Sequence, residues 1–443
     1  MTLKDLRNKK IAILGLGVEN QAMLEFLLRK NVQAYYTVCD SREYQELCDR
    51  CDPIKKNSEQ KKIKLVWKFG KNYDKGLDEY DIIFRIAGYP LFTPQIIKAM
   101  VKGVTISSAT KLCLELAPTK NIIGVTGSKG KGTTASLLYD ILKTAGKSVH
   151  FGGNIGVPIF SFFEKIQPND WLILELSSFQ LEDLNISPRI AVMTNFFPEH
   201  LAAADPLNPN FHKNLDMYWH AKTNIFTHQK KGDTLIANKN LRRKIEAYHP
   251  KGKIHYFKTS DLETPLIGQH NQKNIAAAEM AAKLIGIKQS DIAKSVKTFK
   301  GLEHRLELAG VKNNIRYYND SFSTNPEACI TALKAFGKNQ VILIAGGASV
   351  NADFSALAQQ ITRQTKQVIL LPGEGSKKIL SALKKLHYHH ASKAQNMTQA
   401  VASADENAKP GDVVLLSPAC KSFGLFKNAK ERGDRFKAAV KSK

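Results

Sequence analysis

The stretch Asn121–Leu138, NIIGVTGSKGKGTTASLL, constrains this chain more than any other. Asn121–Val125 reads as a short apolar strand, and from Ala135 the pattern is that of an amphipathic helix. Gly127, Gly130 and Gly132 lie between them, with Lys131 in their midst and Thr133 and Thr134 closing the loop. A strand, a glycine loop and a helix start form an anion cradle. Glycines let backbone N–H groups approach a phosphate closely, and the helix N-terminus adds partial positive charge. Lys131 would reach terminal phosphates, and a threonine hydroxyl would ligate Mg²⁺. Gly132 stands where Ser or Thr usually follows the lysine, so Thr133, one place on, supplies the hydroxyl. The stretch predicts a nucleotide site inside a parallel α/β sheet.

The rest of the chain repeats that architecture. Lys10–Leu14 is a strand followed by Gly15-Leu-Gly17-Val18-Glu19-Asn20, a dinucleotide-type start with Asn20 at the third glycine position. A second strand, Ala34–Cys39, ends at Asp40-Ser41-Arg42, where Asp40 suits a sugar hydroxyl or simply a turn. Trp171–Glu175 is a buried-strand run ending in a carboxylate. Its charge among apolar neighbours calls for a partner, and its place near the phosphate loop suits Mg²⁺. Ile190–Thr194 is another strand, with Glu199 and His200 just past its end, where open α/β sheets bind ligands, although a loop histidine is more often structural. Lys222, in a helical stretch, reads from its pattern alone as a solvated lysine. Asn271 and Asn274 open an alanine-rich helix, where amides either cap the helix or bond a base. Three further apolar runs, from Val341, Val368 and Val413, alternate with helices and give a third α/β unit.

The expected fold is therefore α/β with three doubly wound domains: residues 1–117, Rossmann-like; 118–302, a central phosphate-loop domain; and 303–443, Rossmann-like again. A 443-residue chain with 43% hydrophobic residues can build three such cores. The apolar run near the start is too short for a secretory signal and none is long enough to span a membrane, so no membrane insertion is expected. Six scattered cysteines fit a reducing cytoplasm, and Cys48-x-x-Cys51 lacks the second pair a zinc site needs. The net charge of +25 raises a nucleic-acid partner as a reading from another class. Its lysines are dispersed and not interleaved with aromatics, so solvated faces that steer anionic substrates are expected and nucleic acid is not. The His387-Tyr-His-His390 cluster falls at a helix-to-strand junction and reads as surface.

Five ordered motifs then resemble one family over nearly the whole chain, the Mur ligases, and among them the glutamate-adding members. They are Glu175-Leu-Ser-Ser-Phe-Gln-Leu, Gly268-Gln-His-Asn-x-x-Asn274, Gly301-Leu-x-His-Arg305, Asn319-Asp320-Ser, and Leu416-Ser-Pro-Ala-Cys420 with Phe426-Lys-Asn and Arg432-Gly433. The resemblance implies ATP-dependent amide formation between UDP-N-acetylmuramoyl-L-alanine and D-glutamate through an acyl phosphate, by a cytoplasmic monomer. It implies catalytic roles for Lys131, Glu175, His200 and Lys222, and ATP contacts from the loop with Asn271, Asn274, Arg305 and Asp320. Val18, Asp40, Ser41, Arg42 and Asn154 match positions at the UDP-sugar end, and Thr324 and Ser422 match positions at the amino acid. Two Mg²⁺ sites are implied, drawing on Thr133, Glu175, His200 and Lys222, the last as a CO₂-derived carbamate. A bare ammonium would repel the metal, and a carbamate attracts it.

Some positions depart from that pattern. Gly-Lys-Gly-Thr in the phosphate loop resembles the folylpolyglutamate synthases of the same superfamily, which lack a UDP-binding domain. Phe322 and Val350 stand where glutamate-adding members carry lysine, and Ala429 stands where they carry phenylalanine. Losing two cations from an anion site costs several kcal/mol unless others replace them, and Lys421 is a candidate. L-glutamate or another amino acid is thus the alternative amine.

Overall fold

The computed structural model describes residues 1–202, 209–349 and 352–442. Val350 lies outside the described residues. Among the described residues, three sheets account for all the strands. The first contains β1 (Lys10–Leu14), β2 (Tyr35–Asp40), β3 (Leu65–Phe69), β4 (Ile82–Arg85) and β5 (Thr105–Ser107), in the order β3-β2-β1-β4-β5. The second contains β6 (Ile122–Thr126), β7 (Val149–Gly153), β8 (Trp171–Glu175), β9 (Ile190–Met193), β10 (Thr234–Asn238) and β11 (Lys253–Phe257), in the order β11-β10-β9-β6-β8-β7. The third contains β12 (Glu307–Lys312), β13 (Ile315–Asn319), β14 (Val341–Ala345), β15 (Thr365–Leu370), β16 (Ala391–Lys393) and β17 (Val413–Leu416), in the order β12-β13-β17-β14-β15-β16. Among these strands every pairing is parallel except β12 with β13. Parallel sheets bury both faces, which explains strands such as VILIA and VVLL with no polar alternation.

By contact the chain forms two bodies, Met1–Leu262 with Gln272–Val296, and Glu263–Asn271 with Lys297–Lys443. The first body holds the first two sheets over one continuous apolar core. Phe26, on the helix Val18–Arg29, meets Phe160 at 4.9 Å and Phe163 at 5.3 Å from the second sheet's side. The boundary expected at residues 117 and 118 separates two sheets that share this core.

In both nucleotide-type crossovers the loop after the first strand is the critical piece. After β1, Asn20 takes the place of the third glycine and is buried, its amide donating to Gly15 O at 2.9 Å and Phe84 O at 3.3 Å. After β6, the helix Lys131–Thr144 starts four residues earlier than the apolar pattern suggested, directly at the lysine. Among the described residues no helix is long and apolar enough to cross a membrane.

Candidate active site

The loop 127–130 is held open as a cradle by its backbone. Gly130 caps the helix with φ of 79°, and a Cβ there would collide with the Asn274 side-chain amide. Gly127 has φ of 147°, and a Cβ there would strike the Thr194 hydroxyl. Only glycine fits either place without strain. The chain after β9 pins the loop from below. Thr194 Oγ1 donates to Lys129 O at 2.7 Å, Lys129 N donates to Asn195 Oδ1 at 2.8 Å, and Phe197 N donates to Ser128 Oγ at 2.8 Å. Lys131 Nζ reaches back to Ser128 O at 3.0 Å, so the first ammonium of the site folds over the loop.

Lys222 corrects the solvated reading. It lies on the helix Leu215–Thr223 with 1% of its surface exposed. Its Nζ donates to Gly127 O at 2.8 Å and sits 4.8 Å from the centroid of the Tyr218 ring, one turn earlier. Burial, with repulsion from Lys131, pushes its amine well below the ordinary lysine range, against the pull of Glu199 and Glu175. The buried Glu175 ends β8 beside β6, paired in register with Val125, and its Oε1 accepts from Asn154 Nδ2 at 3.1 Å. Asn154 therefore contacts the carboxylate at the phosphate end of this sheet. Glu199 pairs with Lys129. His200, in a left-handed turn with φ of 58°, is pushed below the ordinary histidine range by burial and by Lys222, Lys131 and Lys129, with Glu199 opposing.

Several residues of this site went unseen in the sequence. The His200 ring meets Phe179 at 5.0 Å and Tyr218 at 5.8 Å. His212 stacks on Phe179 at 4.8 Å, and burial lowers it to about 4. Tyr218 had a signal, since it stands four residues before Lys222 on one helix face. His212, in the irregular NFHKN segment, had none.

At the carboxyl end of the first sheet, Asp40 is already committed. Its oxygens accept from Leu16 N at 2.7 Å, Arg42 N at 3.0 Å, and Arg42 Nε and Nη2 at 2.9 and 2.8 Å. Burial opposes its charge, but these bonds win and hold the carboxyl below its usual range. Val18 is exposed at the helix start, and Ser41 lies between the paired Asp40 and Arg42.

Asn271, Arg305, Asp320, Thr324 and Ser422 belong to the second body, whereas Asn274 stands in the first beside Gly130. Asn271 Nδ2 donates to Ile267 O at 2.8 Å. Asp320 accepts from Ser417 Oγ at 2.9 Å, Leu306 N at 3.2 Å and Ser323 Oγ, while burial raises its carboxyl to about 6. The Arg305 guanidinium lies 5.4 Å over the Phe322 ring. Thr324 N donates to Phe322 O at 3.0 Å, and the buried Ser422 offers its carbonyl to Phe426 N at 3.2 Å. Ala429 O accepts from Ser321 Oγ at 2.6 Å, and Lys421 pairs with Ala348 through the backbone.

Against known proteins, the model of the Mur ligase middle domain matches residues 125–252, and that of the Mur ligase glutamate ligase domain matches residues 304–420. The UDP-N-acetylmuramoylalanine--D-glutamate ligase of Clostridium kluyveri is 36% identical, over 98% of this chain and 97% of its own. The chain belongs to the Mur ligases. It is thus an ATP-dependent ligase that forms an amide bond. A second relative of this Mur ligase, the UDP-N-acetylmuramoylalanine--D-glutamate ligase of Clostridium tetani, is 35% identical over 99% of this chain and 98% of its own. The MurF ligase of Thermotoga maritima, solved in complex with ADP, shares the fold with a TM-score of 0.58 at 16% identity, covering 99% of each chain.

Proposed function

We propose that this Mur ligase joins D-glutamate to UDP-N-acetylmuramoyl-L-alanine, using ATP, in peptidoglycan precursor synthesis in the cytoplasm. The observation that carries the reading is Lys222, a buried amine bonded to the phosphate loop and set beside Lys131. Residues 1–117 would take the UDP-sugar, 118–302 the ATP, and 303–443 the amino acid, in a monomer.

The substrate carboxylate attacks the γ-phosphorus of ATP, and ADP leaves. The glutamate amine then adds to the acyl-phosphate carbon, loses a proton, and inorganic phosphate departs as the amide forms. Such phosphoryl transfer depends on position and charge neutralisation. The backbone N–H groups of Gly130, Gly132 and Thr133, with the Lys131 ammonium, would hold the phosphates, while the Thr134 N–H closes the first helical turn on Gly130 O at 2.9 Å. Asn271, Asn274, Arg305 and Asp320 would hold adenine, phosphate and ribose. Val18, Asp40, Ser41, Arg42 and Asn154 would meet the UDP-sugar, with Arg42 pre-aligned by Asp40.

The donor set fits Mg²⁺ only with a modification. Among the described residues no three His, Cys, Asp or Glu side chains come together to hold a metal. Thr133, Glu175 and His200 leave a deficit of anionic oxygen, with two ammonium groups close by. In its neutral form, which burial and Lys131 favour, the Lys222 amine can add to CO₂ and release a proton, putting a carboxylate-like ligand in place of a repelling cation. Two Mg²⁺ ions would then have ligands in Thr133, Glu175, His200 and the carbamate. When bound, Mg²⁺ would screen the phosphate charge.

Thr324 and Ser422 would receive the amino acid. Phe322, placed where related ligases carry lysine, favours one second reading, a different amine such as L-glutamate. Phosphate release from ATP with UDP-N-acetylmuramoyl-L-alanine, testing D-glutamate, L-glutamate and other amino acids separately, decides between them. Release dependent on D-glutamate is expected. Release only with another amino acid makes Phe322 a specificity determinant, and no release with any of them overturns the reading.

A further inference from the structure

We infer that His212 is a positioning residue for the proposed reaction: by its buried imidazole and its backbone N–H, this one residue ties together the three segments that carry Glu175, His200 and Lys222. The inference rests on that functional reading.

Two of the segments follow β8 and β9, and the third is the helix Leu215–Thr223. Glu175 ends β8 and runs directly into Leu176–Leu181. His212 Nε2 lies 2.9 Å from Ser178 Oγ, and its ring stacks on Phe179 at 4.8 Å with planes 13° apart. The His212 backbone N–H donates to His200 O at 2.8 Å, so the same residue supports the turn that presents His200. On a third side the imidazole meets the Tyr218 ring at 5.1 Å, and Tyr218 carries the Lys222 ammonium on its face at 4.8 Å. A reactive constellation must be held to within about half an ångström by residues whose own rotamers are locked.

Packing alone does not account for a histidine here. The side chain is buried, yet among the described residues its Nδ1 has no hydrogen-bond partner, and Glu182 Oε1 stands 3.7 Å away. Leaving a buried polar atom unpaired costs about 1–3 kcal/mol. Phenylalanine would fill the same stack on Phe179 without that cost. What it lacks is the nitrogen that reaches Ser178.

His212→Phe therefore separates the two roles. Its melting temperature should stay within about 3 °C of wild type or rise. Its kcat for phosphate release should fall about 10–100-fold, with KM for ATP and for the UDP-substrate nearly unchanged. The gain in ATP affinity on adding Mg²⁺, measured by titration with and without the metal, should shrink on the same scale. His212→Gln, whose side-chain amide can bond the Ser178 hydroxyl, should recover most of both losses. Ser178→Ala removes only that hydroxyl and should reproduce the loss even if the phenylalanine variant does not fold. Wild-type kcat together with a wild-type Mg²⁺ gain in His212→Phe or Ser178→Ala would overturn the inference. So would a loss that follows melting temperature in every variant and that glutamine does not repair. The Mg²⁺ titration needs neither UDP-substrate nor amino acid. A wild type that releases no phosphate would sink the proposed reaction, while a reduced Mg²⁺ gain in the variants would still support the positioning role.

Discussion

Lys222 and Arg432 are both cations with almost no exposed surface, one in each body of the chain. Arg432 is enclosed by acceptors: its Nε donates to Ser321 Oγ at 3.0 Å, Nη2 to Ser321 O at 2.7 Å and Nη1 to Cys420 O at 2.9 Å. Burial lowers it only to about 10, so it remains charged at neutral pH. Lys222 donates to a single backbone oxygen, lies on an aromatic face, and faces the repulsion of Lys131. The arginine's planar fork is used as a framework joining the chain after β13 to the chain after β17. The lysine is a compact amine whose charged form the fold disfavours. Equal burial thus encloses a guanidinium in acceptors in one body and sets an amine against a neighbouring cation in the other.

The largest effect expected from that contrast is on turnover. Lys222→Ala should lower turnover by at least about a thousandfold. Its stability to urea should change by less than about 1 kcal/mol or improve, because a buried, poorly compensated amine is removed. Short carboxylic acids added to this variant should restore part of the rate. Wild-type turnover in Lys222→Ala would break the comparison.

Arg432→Met should do the reverse, costing about 3 kcal/mol of stability, because the acceptors at Ser321 and Cys420 lose their donor while buried. A urea midpoint equal to wild type would show that the guanidinium is not framework.

The smallest effect concerns Glu19, an acid whose charged form the fold also disfavours. It accepts from Gln180 Nε2 at 2.7 Å, and burial raises its carboxyl to about 7, with Gln180 opposing. The ordinary glutamate value is 4.5, so between that pH and about 7 the folded chain binds more protons than the unfolded one. Stability from this group is present at low pH and is lost as pH rises through about 7. Glu19→Gln should keep the contact with Gln180 and be more stable than wild type at pH 8 by about 1 kcal/mol, with no gain at pH 4. An equal gain at both pH values would assign the effect to packing.

The three sheets were legible because parallel strands bury both faces and leave long apolar runs, and the phosphate loop because backbone geometry demands its glycines. The central residues were legible only as motif positions. Periodicity on the helix Leu215–Thr223 cannot reveal that Lys222 turns inward, since its environment is made by Gly127 and Tyr218 brought together by the sheet. Asp40 was legible as a strand-end acid, but its pairing with Arg42 depends on a two-residue turn that spacing does not fix. His212 had no local signal because its three contacts come from three separate segments.

The central claim is that the fold prepares Lys222 to become an anionic ligand beside the phosphate loop. The direct measurement is carbon-13 NMR of the protein equilibrated with labelled bicarbonate and Mg²⁺, with Lys222→Ala as the control. The account predicts a carbamate carbon signal in wild type that is absent from the variant and fades when bicarbonate is removed. No carbamate signal in an active wild type, or the same signal in both proteins, would contradict it.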